Sequence, residues 1–258
     1  MAIITLTTDL GDKDIYQAAL KGSIYKLLPT VNIVDITHSV ALFNIQQAAF
    51  IIKNSFHYFP EGTVHLIGVD TVLNDYTRFI AVCYQKHYFV GADNGIFSLI
   101  FNEQPEEMVE ITIMQDLKFL HFPLADIFVK AACHLAKGGQ LNQIGIPVQE
   151  VERKMDLQPV IERNLIKGMV IYIDTFQNAI TNITKEFFTR VQQGRRFVLY
   201  FKRNETITQL SWHYNEVPEG EKLCLFGISD HLEIAINKGN ASGLLGLGLG
   251  DSVIIDFQ

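Results

Sequence analysis

The sequence predicts two domains, an N-terminal α/β domain with a largely parallel sheet flanked by helices and a smaller C-terminal all-β barrel domain. Three observations predict them. Strand and helix patterns alternate through the first half, as they do in an α/β layer. From Gly168 onward short alternating segments follow one another, separated by Gly, Asn and Pro, which is an all-β pattern. Between the halves lies a charged stretch, 147–164, with Pro147 and Pro159, so the domains are read as 1–150 and 165–258 with a linker at about 151–164.

Each element rests on its residues. Residues 3–8 are β-branched and run into an Asp-Leu-Gly-Asp turn, so they read as a strand. Residues 14–28 read as a helix, with Ile15, Ala18, Ala19, Leu20, Ile24, Leu27 and Leu28 in helical period and Pro29 as the stop. Residues 32–36 form a second strand. A second helix is read at 43–56, with Asn44 as N-cap and Ala48, Ala49, Ile51 and Ile52 inside. Strands follow at 63–69, 79–84 and 87–90, the last two joined by a tight Gln85–Lys86 turn. A third long helix occupies 127–136 and stops at Lys137-Gly138-Gly139. The second half reads as strands within 169–174, 196–201, 207–214, 222–229, 231–237 and 251–257, with one short helical period near 184–192.

Composition narrows the function. The 258 residues carry a net charge of −7, and the nearest approach to a basic cluster is Arg195, Arg196, Lys202 and Arg203, so nucleic-acid and anionic-membrane binding are disfavoured. Cys83, Cys133 and Cys224 lie far apart among apolar residues, which suits reduced buried thiols better than a disulfide or a metal. The opening residues lack the basic n-region of a signal peptide, and no window reaches the ~18 apolar residues of a spanning helix. A soluble, cytoplasmic protein is expected.

The positions of the carboxylates carry more information. Asp9, Asp35, Asp70 and Asp93 each fall at or just past the end of an expected strand, and Asp174 ends the first strand of the β half. Ligands of open parallel sheets bind beyond the carboxyl ends of the strands. Taken singly, each Asp is an ordinary turn former. As a set they fit a shared polar crevice, suited to hydroxyl groups, a metal or a cationic ligand. Familiar motifs are missing: there is no Walker loop, no early G-x-G-x-x-G, no H-E-x-x-H and no G-x-S-x-G. The eight histidines are scattered without metal-ligand spacing, so no metal is expected. The glycine-rich run 243–251 has no helix after it and reads as β-turn geometry rather than a phosphate loop.

Six segments resemble one family in order. Thr8-Asp9-Leu10-Gly11 with Asp14, Tyr16 and Lys21-Gly22 is similar to T-D-F-G-x-x-D-x-Y…K-G. Asp35-Ile36-Thr37-His38 is similar to D-x-T-H. Phe59-Pro60-x-Gly62-Thr63-Val64-His65 through Val69-Asp70 is similar to F-P-x-G-T-V-H…V-D, and Ala92-Asp93-Asn94-Gly95 to P-D-N-G. Asp174, Phe176, Asn178, Thr181 and Asn182 match D-x-F-G-N-x-x-T-N. Leu232 through Ala241 match L-E-I-A-x-N-x-G-x-A. The chain therefore resembles the S-adenosyl-L-methionine (SAM) hydroxide adenosyltransferase family, relatives of the fluorinating and chlorinating enzymes, along nearly its whole length.

The resemblance implies the two domains above, a homotrimer with ligand sites at subunit interfaces, and SAM as substrate rather than any separate cofactor. It implies Asp14 on the ribose hydroxyls, Asp9 and Asp70 at the nucleoside side near C5′, and Phe43 as the aromatic ring against the nucleoside. Asp174 and Asn178 would hold the methionine ammonium and carboxylate, and Tyr214, Ser229 and Glu233 through Ala235 the adenine end. In the family's hydrolases an Asp, an Arg and a His orient the attacking water. Here the candidates for that set are Asp70, Arg78 and His121. Three departures stand out. The segment after Asp70, Thr71 to Arg78, has lost the family's glycines and places Arg78 one residue late. In the family's F-H-G-R-D-I-F, Pro123 replaces the His and Ala125 the Arg, with His121 two positions earlier. Gln177 replaces a Gly. Three functions follow: an adenosine-forming SAM hydrolase, a SAM or adenosine binder without chemistry, and an adenosyl transferase using another nucleophile such as halide.

Overall fold

The computed structural model describes residues 2–72, 77–155, 157–202 and 205–258. Leu73, Asn74, Asp75 and Tyr76 of the altered segment after Asp70, and Arg203 of the small basic cluster, lie outside the described residues. The chain divides into two compact units, Met1–Met155 and Asp156–Gln258.

The first unit contains β1 (Ile3–Thr8), α1 (Tyr16–Leu27), β2 (Asn32–Thr37), α2 (Ile45–Lys53), β3 (Val64–Gly68), β4 (Phe79–Tyr84), β5 (His87–Ala92), α3 (Ile96–Ile100), β6 (Glu107–Ile111), α4 (Ile127–Ala136) and β7 (Gly145–Pro147). Its sheet has the order β2-β1-β3-β5-β4-β6-β7. The first four strands pair in parallel, and β4, β6 and β7 extend the sheet antiparallel. Alternate residues feed two cores. Ile4, Leu6, Val64 and Leu66 pack with Leu20 and Ile24 of α1 and Phe128 of α4. Ile67, Val69 and Phe89 pack with Ala48 and Ile52 of α2 and Phe97 of α3. Helices thus cover both faces, which is why β3 is buried at every position.

Local chemistry sets the boundaries. Asn44 caps α2 by accepting from Gln47 N at 2.9 Å. The expected helix start at 43 shifts inward because Phe43 has φ 62°, a left-handed conformation that no α-helix accommodates. Asp14 likewise precedes α1, and Asp35 lies inside β2 rather than past its end. Gln85 and Lys86 both take positive φ (48° and 62°), the pair of values a two-residue hairpin requires. The short α3 and the strand β6 carry no period long enough to announce them in the sequence.

The second unit contains β8 (Val160–Glu162), β9 (Leu165–Ile173), β10 (Ala179–Thr184), α5 (Lys185–Gln192), β11 (Phe197–Phe201), β12 (Glu205–Ile207), β13 (Lys222–Phe226), β14 (His231–Ile236), α6 (Ala241–Leu245) and β15 (Ser252–Phe257). Its antiparallel sheet runs β12-β11-β15-β9-β10-β14-β13, with β8 also paired to β9. Ser211 N donates to Cys224 O at 2.9 Å, which draws the chain after β12 towards β13 and nearly closes a barrel. Phe188 of α5 plugs the interior, edge-on to Phe197, Phe226 and Phe257. Thr184 caps α5 by accepting from Phe187 N. The glycine-rich run begins inside a helix that its sequence did not suggest: α6 is capped by Asn240 and ended by Gly246 at φ 68°.

Candidate active site

The first cluster forms beyond the carboxyl ends of β1, β3 and β5. The Asp9 carboxylate follows β1, and its Oδ2 accepts two backbone N–H groups, from Phe43 at 2.9 Å and from Asp70 at 3.4 Å. Both donors are non-glycine residues at positive φ, 62° and 49°. One anionic oxygen therefore ties together the loop bearing an aromatic ring and the loop bearing the second carboxylate. Asn94 completes the arrangement, donating from Nδ2 to Val69 O at 3.1 Å and to Asp70 O at 3.0 Å. Next to it, the almost fully buried Asp93 carboxylate accepts from Arg78 Nη2 at 2.5 Å and from Glu152 N at 2.7 Å. Arg78 Nη2 also reaches Glu150 O at 3.3 Å.

A chain of polar side chains supports Asp9 from behind. Lys21 Nζ donates to Asp35 Oδ2 at 2.5 Å. His38 Nε2 lies 3.1 Å from Asp35 Oδ1, an ion-pair distance in a geometry too bent for an aligned hydrogen bond. His38 Nδ1 shares a 2.7 Å hydrogen bond with Thr8 Oγ1, next to Asp9 in the chain. Burial pushes the Asp35 carboxyl up, but the hydrogen bond from Lys21 and the close approach of the His38 ring and the Lys21 charge outweigh it and hold the group below the usual carboxylate range. Lys21, Asp35 and His38 all stand in the segments that carry the family resemblance, yet no role follows from those segments alone. The fold supplies it by setting β2 beside β1.

The remaining first-unit candidates lie differently. Asp14 is exposed just before α1. His121 is exposed in a turn, and no hydrogen bond or ion pair among the described residues joins it to Asp70 or Arg78. Its neighbour Phe122 packs edge-on against Tyr16, with ring centroids 5.4 Å apart. Pro123, Leu124 and Ala125 form a buried 3₁₀ turn, and Leu124 belongs to the core beneath β1 and β3. The two positions altered from the family's His and Arg therefore hold apolar side chains facing protein. Asp126 is occupied structurally, accepting from Asp116 N at 2.8 Å and pairing with Lys130 at 2.7 Å.

The second cluster lies in the barrel unit. Asp174 follows β9 and accepts from Asn178 N at 2.8 Å and Asn178 Nδ2 at 3.0 Å, closing the turn into β10. Gln177 occupies that turn at φ 67°, the conformation a glycine adopts freely. Ile180 of β10 pairs with Glu233 of β14. Glu233 is buried and accepts from Tyr214 Oη at 2.9 Å. Burial raises the Glu233 carboxyl, the Tyr214 hydroxyl partly offsets this, and the charge of Asp174 raises it further. Burial and the same two carboxylates push Tyr214 upward. A Cβ at Gly227 would overlap Glu233 Oε1, so the carboxylate fills the space that Gly227 leaves. Ala235 lies two residues on, buried against Leu223, Leu225 and Val217. Ser229 sits in the β13–β14 turn, its Oγ buried with no hydrogen-bond partner among the described residues. The structure thus joins Asp9, Phe43, Asp70 and Arg78 through contacts in one unit, and Asp174, Asn178, Tyr214 and Glu233 in the other.

Sequence comparison places this geometry in a family. Residues 4–145 match the SAM hydroxide adenosyltransferase N-terminal domain, and residues 168–254 match the C-terminal domain of the same family. The chain belongs to the SAM hydroxide adenosyltransferase family. A relative from Thermus thermophilus, named (R)-S-adenosyl-L-methionine hydrolase, is 29% identical over 260 residues, covering 96% of each chain. A protein of the same name from Methanocaldococcus jannaschii is 28% identical, covering 99% of this chain and 96% of its own. A fluorinase from Actinoplanes is more distant, 23% identical over 70% of this chain and 71% of its own. Among solved structures, a conserved protein from Thermotoga maritima superposes with a TM-score of 0.87 at 29% identity, covering 98% of this chain and 99% of that one. No helix among the described residues is long and apolar enough to cross a membrane.

Proposed function

We propose that this adenosyltransferase-family protein is an adenosine-forming SAM hydrolase. Water attacks ribose C5′ in line with the C5′–S bond. The C5′–O bond forms, the C5′–S electron pair passes to sulfur, and L-methionine leaves as a neutral thioether. The protonated 5′-oxygen is strongly acidic and gives its proton to the nearby carboxylate and then to solvent. The leaving group is already activated, so the protein's work is positioning and electrostatics. The observation that carries this reading is the Asp9–Asp70 link, which holds two carboxylates at one sheet edge before any ligand arrives. Full-length relatives named SAM hydrolases support the same chemistry.

In this reading Asp70 orients the water, Asp9 stands beside it at the nucleoside side near C5′, Asp14 holds the ribose hydroxyls, and Phe43 covers the nucleoside. Asp174 and Asn178 take the methionine end, and Tyr214, Ser229, Glu233 and Ala235 the adenine end. Arg78 and His121 are the remaining candidates for the water. SAM is substrate, and no cofactor is invoked. We place the protein in the cytoplasm as a homotrimer whose sites form between subunits. Exposed Ile15, Leu42, Phe43 and Val72 on the unit that bears Asp9 fit coverage by a second surface.

The test is incubation of purified protein with SAM, with and without halide, following adenosine, 5′-halo-adenosine and methionine. Adenosine above background, lost in Asp70→Ala, is expected. A second reading has its own observation: Pro123 and Ala125 are buried apolar residues where the family's hydrolases carry His and Arg. A protein that binds SAM or adenosine by calorimetry without turnover would be a binding module.

A further inference from the structure

We propose that Asn94 is a positioning residue for Asp70, clamping the peptide that aims its carboxylate. Asp70 has φ 49°, a conformation that L-residues resist because Cβ crowds the following carbonyl. Such a residue keeps that conformation only where its surroundings over-determine it. Asn94 supplies half of the constraint. Its Nδ2 donates to the carbonyl oxygens of the two peptides that flank the Asp70 Cα, Val69 O at 3.1 Å and Asp70 O at 3.0 Å. Asp9 supplies the other half through Asp70 N.

Asn94 can do this because it is itself fixed. Parallel pairing of β3 and β5 sets Val64 opposite Tyr88, His65 opposite Phe89 and Leu66 opposite Val90. Continued past the strand ends, that register brings residue 94 beside residue 70. Asp93 is pinned by Arg78 and by Glu152 N. On the other side, Asn94 Oδ1 accepts from Ile96 N at 3.2 Å, and Gly95 turns the chain at φ 96°. A carboxylate that orients water gains from this rigidity, because small misplacements of a catalytic group slow the chemistry sharply.

The inference rests on the hydrolase reading for its effect on rate, but not for its effect on structure, and the test keeps the two apart. Asn94→Asp retains the oxygen that accepts from Ile96 N and removes the amide that donates to the two carbonyls. In the full-length protein, kcat for adenosine release is expected to fall roughly 10- to 100-fold with KM for SAM changed less than about threefold. Hydrogen exchange at the Asp70 amide is expected to speed up about tenfold or more, since that N–H opens when the clamp loosens. Should this variant not fold, Asn94→Ser, with one donor in place of two, is measured instead. If the wild type forms no adenosine, the hydrolase reading fails and the exchange rates alone decide the clamp. Unchanged exchange at Asp70, or an unchanged kcat in an active enzyme, would overturn the proposal.

Discussion

Phe43 donates its backbone N–H to the carboxylate of Asp9, 34 residues earlier in the chain, across 2.9 Å. The same oxygen accepts from Asp70, so one side chain governs two loops. Asp9→Ala strands both donors and is expected to lower unfolding free energy by about 1–3 kcal/mol. It should also weaken adenosine binding roughly tenfold or more, because ring and carboxylate lose their common anchor. Asp9→Asn, which keeps an acceptor but not the charge, should fall between. Urea melts and titration calorimetry measure both effects, and wild-type affinity in Asp9→Ala would sever the loops from the site.

Arg78 presents a separable question, because its guanidinium serves Asp93 and is also a candidate for the water. Asp93 is nearly fully buried while Arg78 is 38% exposed, so the pair is partly screened. Arg78→Ala is expected to cost about 1–3 kcal/mol, less than breaking a fully buried pair, since it leaves a carboxylate held chiefly by Glu152 N. The double variant Arg78→Ala/Asp93→Asn should recover most of that stability. If Arg78 acts only on Asp93, the double variant also recovers adenosine release. If Arg78 steers water, stability returns and turnover does not.

The sequence was most legible where one short segment decides the outcome. β1, β4 and α4 fall where their apolar patterns place them, because each completes its own pattern within ten residues. Phe43 and Asp70 were legible as residue types at a sheet edge, yet their left-handed backbone was not. Glycine would announce such a conformation, and here distant hydrogen bonds, accepted by the Asp9 carboxylate and donated by the Asn94 amide, support it instead. Pairings such as Tyr214 with Glu233 depend on strand register, which no local pattern encodes. The burial of Pro123 and Ala125 was similarly hidden, since a substitution shows what is lost and not where the new side chain points.

The histidine chain in the first unit predicts an acid-sensitive fold. His65 is buried between Thr5 Oγ1 at 2.8 Å and His87 Nδ1 at 3.2 Å. Burial, then repulsion from His87, pushes His65 down to about 3. Burial also lowers His87, against the pull of Glu61. Between the unfolded value near 6.5 and the folded value, the unfolded chain binds protons that the folded one refuses. Stability is therefore full above about pH 6.5 and falls as pH drops, by up to about 1.4 kcal/mol per pH unit for a buried group such as His65. His65→Gln should flatten the acid limb of a melting-temperature profile between pH 6.5 and 4, and an unaltered limb would assign the loss to other groups.

Glu233 predicts the opposite sign. Its folded carboxyl titrates above the unfolded one because of burial and the charge of Asp174. The folded state thus binds the extra proton, and the stabilisation present at low pH is lost as pH rises through the raised value. Glu233→Gln keeps an acceptor for Tyr214 Oη and removes the buried charge. It should raise the melting temperature more at pH 8 than at pH 4, and an equal gain at both would show that the charge is not the cause.

Gln177 gives the simplest test of how the barrel unit absorbed a departure from its family. It holds φ 67° between Asp174 and Asn178, where the family motif carries Gly. Its N–H donates to Asp174 O at 3.0 Å and its carbonyl accepts from Ser242 N at 2.9 Å, so the turn is fastened from both sides through backbone groups. Gln177→Gly keeps those bonds and removes the clash between Cβ and the neighbouring carbonyl, worth about 1–2 kcal/mol. Greater freedom in the unfolded chain offsets about 0.5–1 kcal/mol of this. A net stabilisation near 1 kcal/mol or less is expected, with unchanged affinity for methionine-bearing ligands because Asp174 and Asn178 keep their geometry. Weaker binding in Gln177→Gly would instead mark the glutamine side chain as part of the site.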